Sequence, residues 1–294
     1  MRRITRATAF VAVLALALAA CGGNDATDDT EAPGGAETTE DAEGAATDEA
    51  GTEEEQAVGD PGELELVNEG TLTVCSDIPY PPFEFEDASA PSGYSGFDID
   101  LVQEIADRLD LELEVLEVGF DGLQSGATLA AGQCDLAASA MTITEERAEN
   151  LNFSDPYYDS LQSLVVPADS DISSLEDLAG QSLGVQRGTT GAMFAQENAP
   201  EDTEIIEFSS GPDLFTAMQA GQVAGGLQDL PVNIERVEQD DEFQIVAEFD
   251  TGEQYGFAAA LGNDALTDAV NATLQEMRDD GTYDEIYDRY FSVD

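Results

Sequence analysis

Three short segments of the chain combine charged, hydroxyl and aromatic side chains in a pattern that suits the binding of a small polar molecule. They are residues 75–83 (CSDIPYPPF), 139–147 (SAMTITEER) and 186–191 (QRGTTG). In the second segment Thr144 is a candidate N-cap of a helix, and the N–H groups exposed at a helix start attract an anion. Arg147 could hold a carboxylate there through two hydrogen bonds. The glycine-containing third segment predicts a second carboxylate cradle.

Each of these segments follows a predicted strand. The predicted strands are 71–76, 111–118, 136–140, 161–166, 181–185, 204–208, 224–227, 243–248 and 255–260. The predicted helices are 101–109, 123–131, 190–197, 212–220, 264–278 and 283–290. Alternation of strands and helices predicts parallel sheets flanked by helices, and ligands bind beyond the carboxyl ends of strands in such sheets. Because the pattern restarts after residue 160, the sequence predicts two α/β lobes with a cleft between them.

Two predicted helices have candidate capping residues. Asp98 precedes the apolar face of helix 101–109 and is placed to cap its start. Thr142 with Glu145 fits a capping box beside the candidate N-cap Thr144. Both assignments predict that these side chains serve local helix structure.

The N-terminus predicts export and membrane attachment. Arg2, Arg3 and Arg6 precede an apolar run at 9–18, which is too short to span a bilayer and indicates a cleaved signal. The ending Leu-Ala-Ala-Cys resembles a bacterial lipobox, so we expect a lipoprotein signal peptide at 1–20 and lipid attachment at Cys21. An ordinary signal peptide with an incidental cysteine is the alternative, and the export route stays open.

The region 21–63 predicts a disordered tether. It consists mainly of Gly, Ala, Thr, Glu and Asp and has almost no large apolar side chains. Such a segment buries too little apolar surface to offset its ordering entropy, and its like charges repel one another. Globular character begins near Leu64, and the remaining length is enough for two modest lobes.

The charge balance excludes several classes of function. The chain has 64 acidic and 9 basic residues and no histidine, and all the basic residues are arginine. Nucleic-acid binding is excluded because nothing could neutralise phosphates. Without histidine or lysine there is no Ser-His or Cys-His pair, imidazole metal ligand or Schiff base. Carboxylate pairs and oxygen-ligated calcium stay open, but we expect no cofactor, no metal and no enzyme activity. The acidity also leads to the hypothesis of adaptation to a salty environment.

The cysteines leave one question open. Cys75 and Cys134 could form a disulfide in an exported protein. However, Cys75 lies two residues before Asp77 and Cys134 lies five before Ser139. If both strands end at one site, that offset is roughly 10 Å at ~3.3 Å per residue, beyond disulfide reach. The bond therefore stays undecided at this point.

Five motifs in order resemble one known family. They are GFDIDL at 96–101, MTITEER at 141–147, FSDPYY at 153–158, GTT at 188–190 and GTYDEIY at 281–287. From about residue 64 to the C-terminus the chain resembles the family 3 extracellular solute-binding proteins, which serve polar amino-acid ABC importers. The resemblance implies a type II periplasmic-binding-protein fold. Each lobe would be a mostly parallel sheet flanked by helices, with two crossing strands joining the lobes.

The resemblance also implies how an amino acid's backbone groups are bound. Arg147 would bind the α-carboxylate with help from Thr142 and the backbone of Thr190. Asp229 would pair with the α-ammonium group. Ser139 and Ala140 would receive the same ammonium group.

The side-chain pocket is implied in the same way. Tyr80 and Phe120 would sandwich the ligand side chain, and Asp77 would face its polar end. Gln186 and Gln228 stand where glutamine-binding members carry lysine and histidine, which puts glutamine specificity in doubt. Asp77 with two nearby amides favours a cationic or amide-bearing side chain, unless Arg187 turns inward.

These features predict a monomeric, lipid-anchored binding protein at the outer face of the cytoplasmic membrane. We expect lobe 1 to comprise 64–160 and 256–294 and lobe 2 to comprise 161–255. The lobes would close on an L-α-amino acid, and an ABC permease would recognise the closed form. The alternatives are a ligand-sensing module for a membrane receptor and a dehydratase-type enzyme on the same fold.

Overall fold

A computed structural model describes residues 64–292 of the chain. The predicted signal peptide at 1–20, the lipid site at Cys21 and the tether up to residue 63 lie outside the described residues. Between residues 64 and 292, none of the helices is both long enough and apolar enough to cross a membrane.

The described residues form twelve strands, nine α-helices and a 3₁₀ helix at Leu175–Leu178. The strands are β1 (Thr71–Ser76), β2 (Phe85–Glu86), β3 (Tyr94–Ser95), β4 (Glu112–Glu117), β5 (Leu136–Ala137), β6 (Leu151–Phe153), β7 (Tyr158–Pro167), β8 (Ser182–Gln186), β9 (Glu204–Phe208), β10 (Gly225–Asp229), β11 (Phe243–Tyr255) and β12 (Ala258–Ala260). The helices are α1 (Phe97–Arg108), α2 (Phe120–Gln124), α3 (Ala127–Ala130), α4 (Glu145–Ala148), α5 (Thr190–Asn198), α6 (Gly211–Gln219), α7 (Leu230–Gln239), α8 (Asp264–Asp280) and α9 (Thr282–Phe291).

Ten of the twelve strands assemble into two five-stranded sheets, one in each lobe, and β2 and β3 form a separate antiparallel pair. The first has the order β4-β1-β5-β12-β6, in which β1 runs parallel to β4 and β5 while β12 is antiparallel to β5 and β6. The second has the order β11-β7-β10-β8-β9, with β8 parallel to β9 and β10. The parallel strands carry the crossover helices, as the alternating pattern predicts.

Two strands link the lobes. β7 leaves the first lobe after β6, and β11 returns to it just before β12. The two strands pair antiparallel over most of their length, from Tyr158 opposite Tyr255 to Pro167 opposite Phe243. The chain therefore crosses between the lobes twice along one antiparallel ribbon.

Each lobe has its own apolar core. In the first lobe, α1 places the fully buried Leu101, Val102 and Ile105 against the sheet, and aromatic side chains such as Phe83 and Phe97 fill the space beside them. In the second lobe, separate apolar clusters lie on the two faces of the sheet. Burial of these side chains contributes roughly 1.5–3 kcal/mol each and holds the strand ends in place.

Several local predictions are wrong for identifiable reasons. Asp98 does not cap α1, because the N-cap is Gly96 and Asp98 is fully buried inside the helix's first turn. The helix predicted at 123–131 is interrupted, because Gly126 adopts a left-handed conformation with φ +74° between α2 and α3. Thr144 is indeed the N-cap of α4. The hydroxyl of Thr142 forms no capping box, because it donates to Glu253 instead.

The predicted pattern of strands and helices missed two features after β10. The strands predicted at 243–248 and 255–260 are in fact one long strand, β11, followed by the short β12. Helix α7 follows β10 directly and contains Pro231 in its first turn, a position where proline is tolerated.

Cys75 and Cys134 form a disulfide, with their Cα atoms 5.8 Å apart. The assumed register is correct, since Cys75 pairs with Ala137 and both β1 and β5 end at the cleft. The distance estimate was wrong because β5 begins only at Leu136. Cys134 lies in the preceding turn, where the chain is not extended and approaches β1 more closely.

Candidate functional site

A narrow cleft lies between the lobes at the carboxyl ends of the parallel strands. Its lining consists of Asp77, Tyr80, Phe120, Ser139, Arg147, Gln186, Thr189, Thr190 and Asp229. All of these except Thr189 are residues that the sequence singled out. The other two predicted residues, Ala140 and Thr142, are buried directly beside this lining.

The strand ends explain why these residues meet. Asp77 follows β1, and Ser139 follows its neighbour β5 after one intervening residue. Gln186 is the last residue of β8, and Asp229 is the last residue of the adjacent β10. Parallel neighbours end at the same edge of a sheet, so each lobe presents two of these side chains to the cleft.

Arg147 is the cation of the cleft and is 4% exposed. Its guanidinium donates to the carbonyl oxygen of Thr142 at 2.7 Å and, across the cleft, to that of Gly188 at 3.0 Å. It also lies 5.2 Å from the centre of the Phe120 ring. Burial lowers the pKa of Arg147 to about 10, against the opposing effect of nearby carboxylates such as Asp229. Arg147 therefore stays charged at neutral pH.

Arg187 does not turn into the cleft. Its side chain is 51% exposed and lies 3.3 Å from Asp121 and 3.7 Å from Glu207. These distances join Arg187 nitrogens to carboxylate oxygens on the protein surface. The cleft consequently has no second cation near Asp77 among the described residues.

Two acidic side chains line the cleft. Asp229 accepts hydrogen bonds from the Tyr80 hydroxyl at 2.9 Å and from the side-chain amide of Gln162. Burial, reinforced by the negative charge of Glu253, raises the pKa of Asp229 to about 7. Asp77 accepts from the Gln186 amide at 2.7 Å, and burial raises the pKa of Asp77 to about 6.

Glu253 is a further acid of the site that sequence reasoning missed. This residue of β11 is 8% exposed, and its Oε2 accepts from the hydroxyls of Thr142 and Thr190, each at 2.9 Å. The amide of Gln162 also donates to both of its oxygens at 3.2 Å. In the sequence Glu253 is one acid among 64, and only the pairing of β11 with β7 brings it to the cleft.

Two more buried acids lie beneath the loop at Ser139 and Ala140. The Ser139 hydroxyl donates to Glu84 and accepts from the backbone N–H of Asp77 at 3.1 Å. The backbone N–H of Ala140 donates to Asp98 at 2.8 Å. Both acids are fully buried, and burial raises the pKa of each, to about 7 for Asp98. The sequence singled out Asp98 only as a candidate helix cap, and no sequence signal set Glu84 apart from surface acids.

Several hydrogen bonds join the lobes directly across the cleft. They link Tyr80 to Asp229, Gln186 to Asp77, Arg147 to the backbone of residue 188 and Thr142 to Glu253. In residues 64–292, no group of His, Cys, Asp or Glu is arranged to hold a metal ion. One buried guanidinium and several separated carboxylates thus face each other over a short distance, which suits a solute that carries both charges.

A two-lobed fold with such a cleft defines a binding protein for small charged solutes. The chain belongs to the bacterial extracellular solute-binding proteins, family 3, whose profile matches residues 72–293. This membership confirms the resemblance drawn from the five motifs.

Relatives and solved structures agree with the assignment. The chain is 34% identical over 203 residues to the ABC transporter glutamine-binding protein GlnH of Bacillus subtilis, covering 68% of this chain and 73% of that protein. An ancestral arginine-binding protein bound to arginine matches with a TM-score of 0.71 and 38% identity, over 76% of this chain and 99% of that chain. The ancestral amino acid-binding protein AncCDT-1, a precursor of cyclohexadienyl dehydratase, matches with a TM-score of 0.68 and 35% identity, over 76% and 96%. These similarities confirm the predicted type II periplasmic-binding-protein fold.

Proposed function

We propose that the protein is the substrate-binding component of an ABC importer and that it binds a cationic L-α-amino acid in the interlobe cleft. The observation that supports a cationic ligand is the charge of the cleft. One guanidinium, Arg147, faces the carboxylates of Asp77 and Asp229, with Glu253 buried behind two threonine hydroxyls. A neutral zwitterion leaves this excess of negative charge uncompensated, whereas arginine or lysine supplies one more positive group.

The proposed orientation follows from where each charge lies. The α-carboxylate would bind Arg147, and the α-ammonium would bind Asp229. The hydroxyls of Thr142 and Thr190 donate to Glu253, so the ligand carboxylate would rely on the guanidinium and on backbone N–H groups rather than on those hydroxyls.

The ligand side chain would lie between Tyr80 and Phe120 and reach Asp77. Gln186 already donates to one oxygen of Asp77, which leaves the other oxygen for a guanidinium or ammonium donor of the ligand. Charge-assisted hydrogen bonds of this kind contribute roughly 1.5–3 kcal/mol each.

Relatives support both candidate side-chain classes. GlnH is named for glutamine, and the ancestral arginine-binding protein was solved both with arginine and with glutamine. The acidic cleft and the exposed position of Arg187 favour arginine or lysine over glutamine, and disfavour glutamate.

Isothermal titration of the mature protein with arginine, lysine, glutamine and glutamate tests this proposal. We expect arginine or lysine to bind most tightly and glutamate not to bind. Replacing Asp77→Asn should reduce the preference for arginine over glutamine by about 10- to 150-fold, the equivalent of one charge-assisted contact. Replacing the exposed Arg187→Gln is the matched control and should leave the preference unchanged. Glutamate binding as tightly as arginine would refute the charge argument.

We also propose that the protein is not an enzyme. The relatives named as transport binding proteins support this, although AncCDT-1 is described as a precursor of a dehydratase. The expected result is saturable binding of the amino acid without turnover, measured by recovery of the unchanged ligand. Conversion of a bound carboxylated ring compound would favour the dehydratase alternative.

Closure would occur along β7 and β11, between lobe 1 (64–160 with 256–294) and lobe 2 (161–255). The monomer would then present its closed form to an ABC permease, held at the outer face of the membrane by lipid on Cys21. Replacing Cys21→Ser should release the protein from the membrane fraction of the producing cell. Retention of that variant in the membrane would contradict lipid anchoring.

The acidity would be an adaptation to high salt. The net charge is −55, and self-repulsion on this scale destabilises a compact state until salt screens it. The melting temperature should therefore rise between low and molar NaCl. An unchanged or falling melting temperature would refute the adaptation.

A further inference from the structure

Ala140 has a backbone conformation that alanine rarely adopts. Its φ angle is +44°, and the other non-glycine residue with a positive φ between residues 64 and 292 is Asp110. For a residue with a Cβ atom, this left-handed conformation costs roughly 1–2 kcal/mol. Ala140 is 4% exposed and lies beside the cleft, between the lining residue Ser139 and the segment that leads to Arg147. Some interaction must therefore hold it in place.

Asp98 supplies that interaction. Its Oδ2 accepts from the backbone N–H of Ala140 at 2.8 Å and from the hydroxyl of Tyr157 at 2.8 Å. Asp98 is completely buried, and its other oxygen, Oδ1, has no hydrogen-bond partner. Burying a carboxylate with so few donors is unfavourable to folding.

Local helix structure does not account for this acid. The N-cap of α1 is Gly96, and Asp98 makes no capping hydrogen bond. Asp100, two residues further along α1, lies near the surface and pairs with Tyr290 and Arg289 instead. The contact of Asp98 that lies closest to the cleft is the N–H of Ala140.

We propose that Asp98 is a positioning residue for ligand recognition: its buried carboxylate holds Ala140 in the left-handed conformation and so presents the backbone carbonyls of residues 139–140 to the α-ammonium group of the ligand. The inference rests on the proposed function, because it concerns how the ammonium of an amino acid is received. Among the described residues no donor reaches the carbonyl oxygen of Ala140, so this acceptor is uncommitted. Glu84 supports the same loop by accepting from the Ser139 hydroxyl.

A first test, without ligand, asks whether Asp98 holds Ala140 in the left-handed conformation. Glycine adopts a positive φ without strain, so the replacement Ala140→Gly should remove the strain that Asp98 imposes on residue 140. In thermal unfolding, we expect Ala140→Gly to raise the melting temperature more in the wild-type protein than in the Asp98→Asn background, where Ala140 is free to relax. Equal shifts of the melting temperature in the two backgrounds would show that Asp98 does not hold Ala140 in place, because independent sites have additive effects.

A ligand test addresses recognition. L-arginine and L-glutamine are each compared with the counterpart that lacks the α-amino group. The replacement Asp98→Asn should weaken binding of the amino acids about tenfold, the equivalent of about 1.4 kcal/mol, and should leave binding of the desamino compounds nearly unchanged. Replacing Asp100→Asn on the same helix is the control and should leave the ratio unchanged. A merely structural role would weaken both ligands of each pair equally and would overturn the proposal.

Failure of the proposed function is distinguishable from failure of this inference. If the wild-type protein binds neither amino acid, the proposed function is wrong. If the wild-type protein discriminates against the desamino compound and the Asp98→Asn variant keeps that ratio, the positioning role is wrong while the function stands.

Discussion

Ligand affinity should fall as the pH is lowered, because two carboxylates of the cleft must be ionised to bind a cationic amino acid. The pKa of Asp229 is raised to about 7 and that of Asp77 to about 6, in both cases chiefly by burial. Below these pH values the free protein carries protons that an ammonium or guanidinium group must displace. Binding should therefore release protons, and affinity should rise with pH until both groups are ionised.

The size of the effect follows from the two pKa values. Each pH unit below about 7 should weaken binding about tenfold through Asp229, so pH 5 corresponds to roughly a 100-fold loss. Asp77, with a pKa of about 6, should add roughly another tenfold at pH 5. The combined loss between pH 8 and pH 5 is therefore on the order of 1,000-fold for arginine.

Isothermal titration between pH 5 and pH 8.5, in two buffers with different ionisation heats, measures both the affinity and the number of protons released. The replacement Asp229→Asn should weaken binding at high pH and remove the steeper part of the pH dependence. Replacing the exposed Asp213→Asn is the control and should leave the profile unchanged. An affinity that does not vary with pH, or proton uptake on binding, would refute the reasoning.

The stability of the ligand-free protein should change in the opposite direction. Burial raises the folded-state pKa of Asp229 and Asp98 above their unfolded values, so the folded state binds more protons between about pH 4 and pH 7. These groups therefore lower stability as the pH rises through that window. The ionised carboxylate of Asp229 thus opposes folding and favours binding, as expected of a group held for ligand recognition.

Two further predictions concern the fold. Replacing Cys75→Ser together with Cys134→Ser should lower the free energy of unfolding by about 4 kcal/mol in urea titrations, since the bond closes a loop with a sequence separation of 59; an unchanged midpoint would contradict this. Replacing Gly96→Ala should cost about 3 kcal/mol or more, because φ is +130° and a Cβ atom would lie 2.2 Å from the carbonyl oxygen of Phe83. The control Gly70→Ala has a positive φ but open space, so it should cost only about 1 kcal/mol.

Much of the architecture was accessible from the sequence, because it depends on local patterns. The strand at 204–208 and the starts of β1, α5 and α8 have the predicted positions, since alternating or helical apolar spacing and capping residues act within a few residues. The segments that follow β1, β5 and β8 meet in the cleft, since parallel strands end at a common edge. The roles of the lining residues stay predictions until a ligand is tested.

The remaining parts of the site depend on contacts between residues distant in sequence, so they could not be predicted from the sequence. Glu253 reaches the cleft only because β11 pairs with β7, and Asp98 reaches Ala140 only because α1 packs under the loop after β5. Cys134 approaches Cys75 through a turn whose path no strand register describes. In a chain with 64 acidic residues, sequence cannot separate a buried carboxylate from a solvated one.

The three segments 75–83, 139–147 and 186–191 supply seven of the nine residues that line the cleft. The types of these residues and their positions after strands depend only on a few neighbouring residues. The sequence by itself therefore determines them. The tertiary structure alone decided that Arg187 faces solvent, that Gln186 is bonded to Asp77 and that the threonine hydroxyls are directed to Glu253. The physical reason is that charge and hydrogen-bond donors are shared between groups distant in sequence, so their directions depend on how the two lobes are packed.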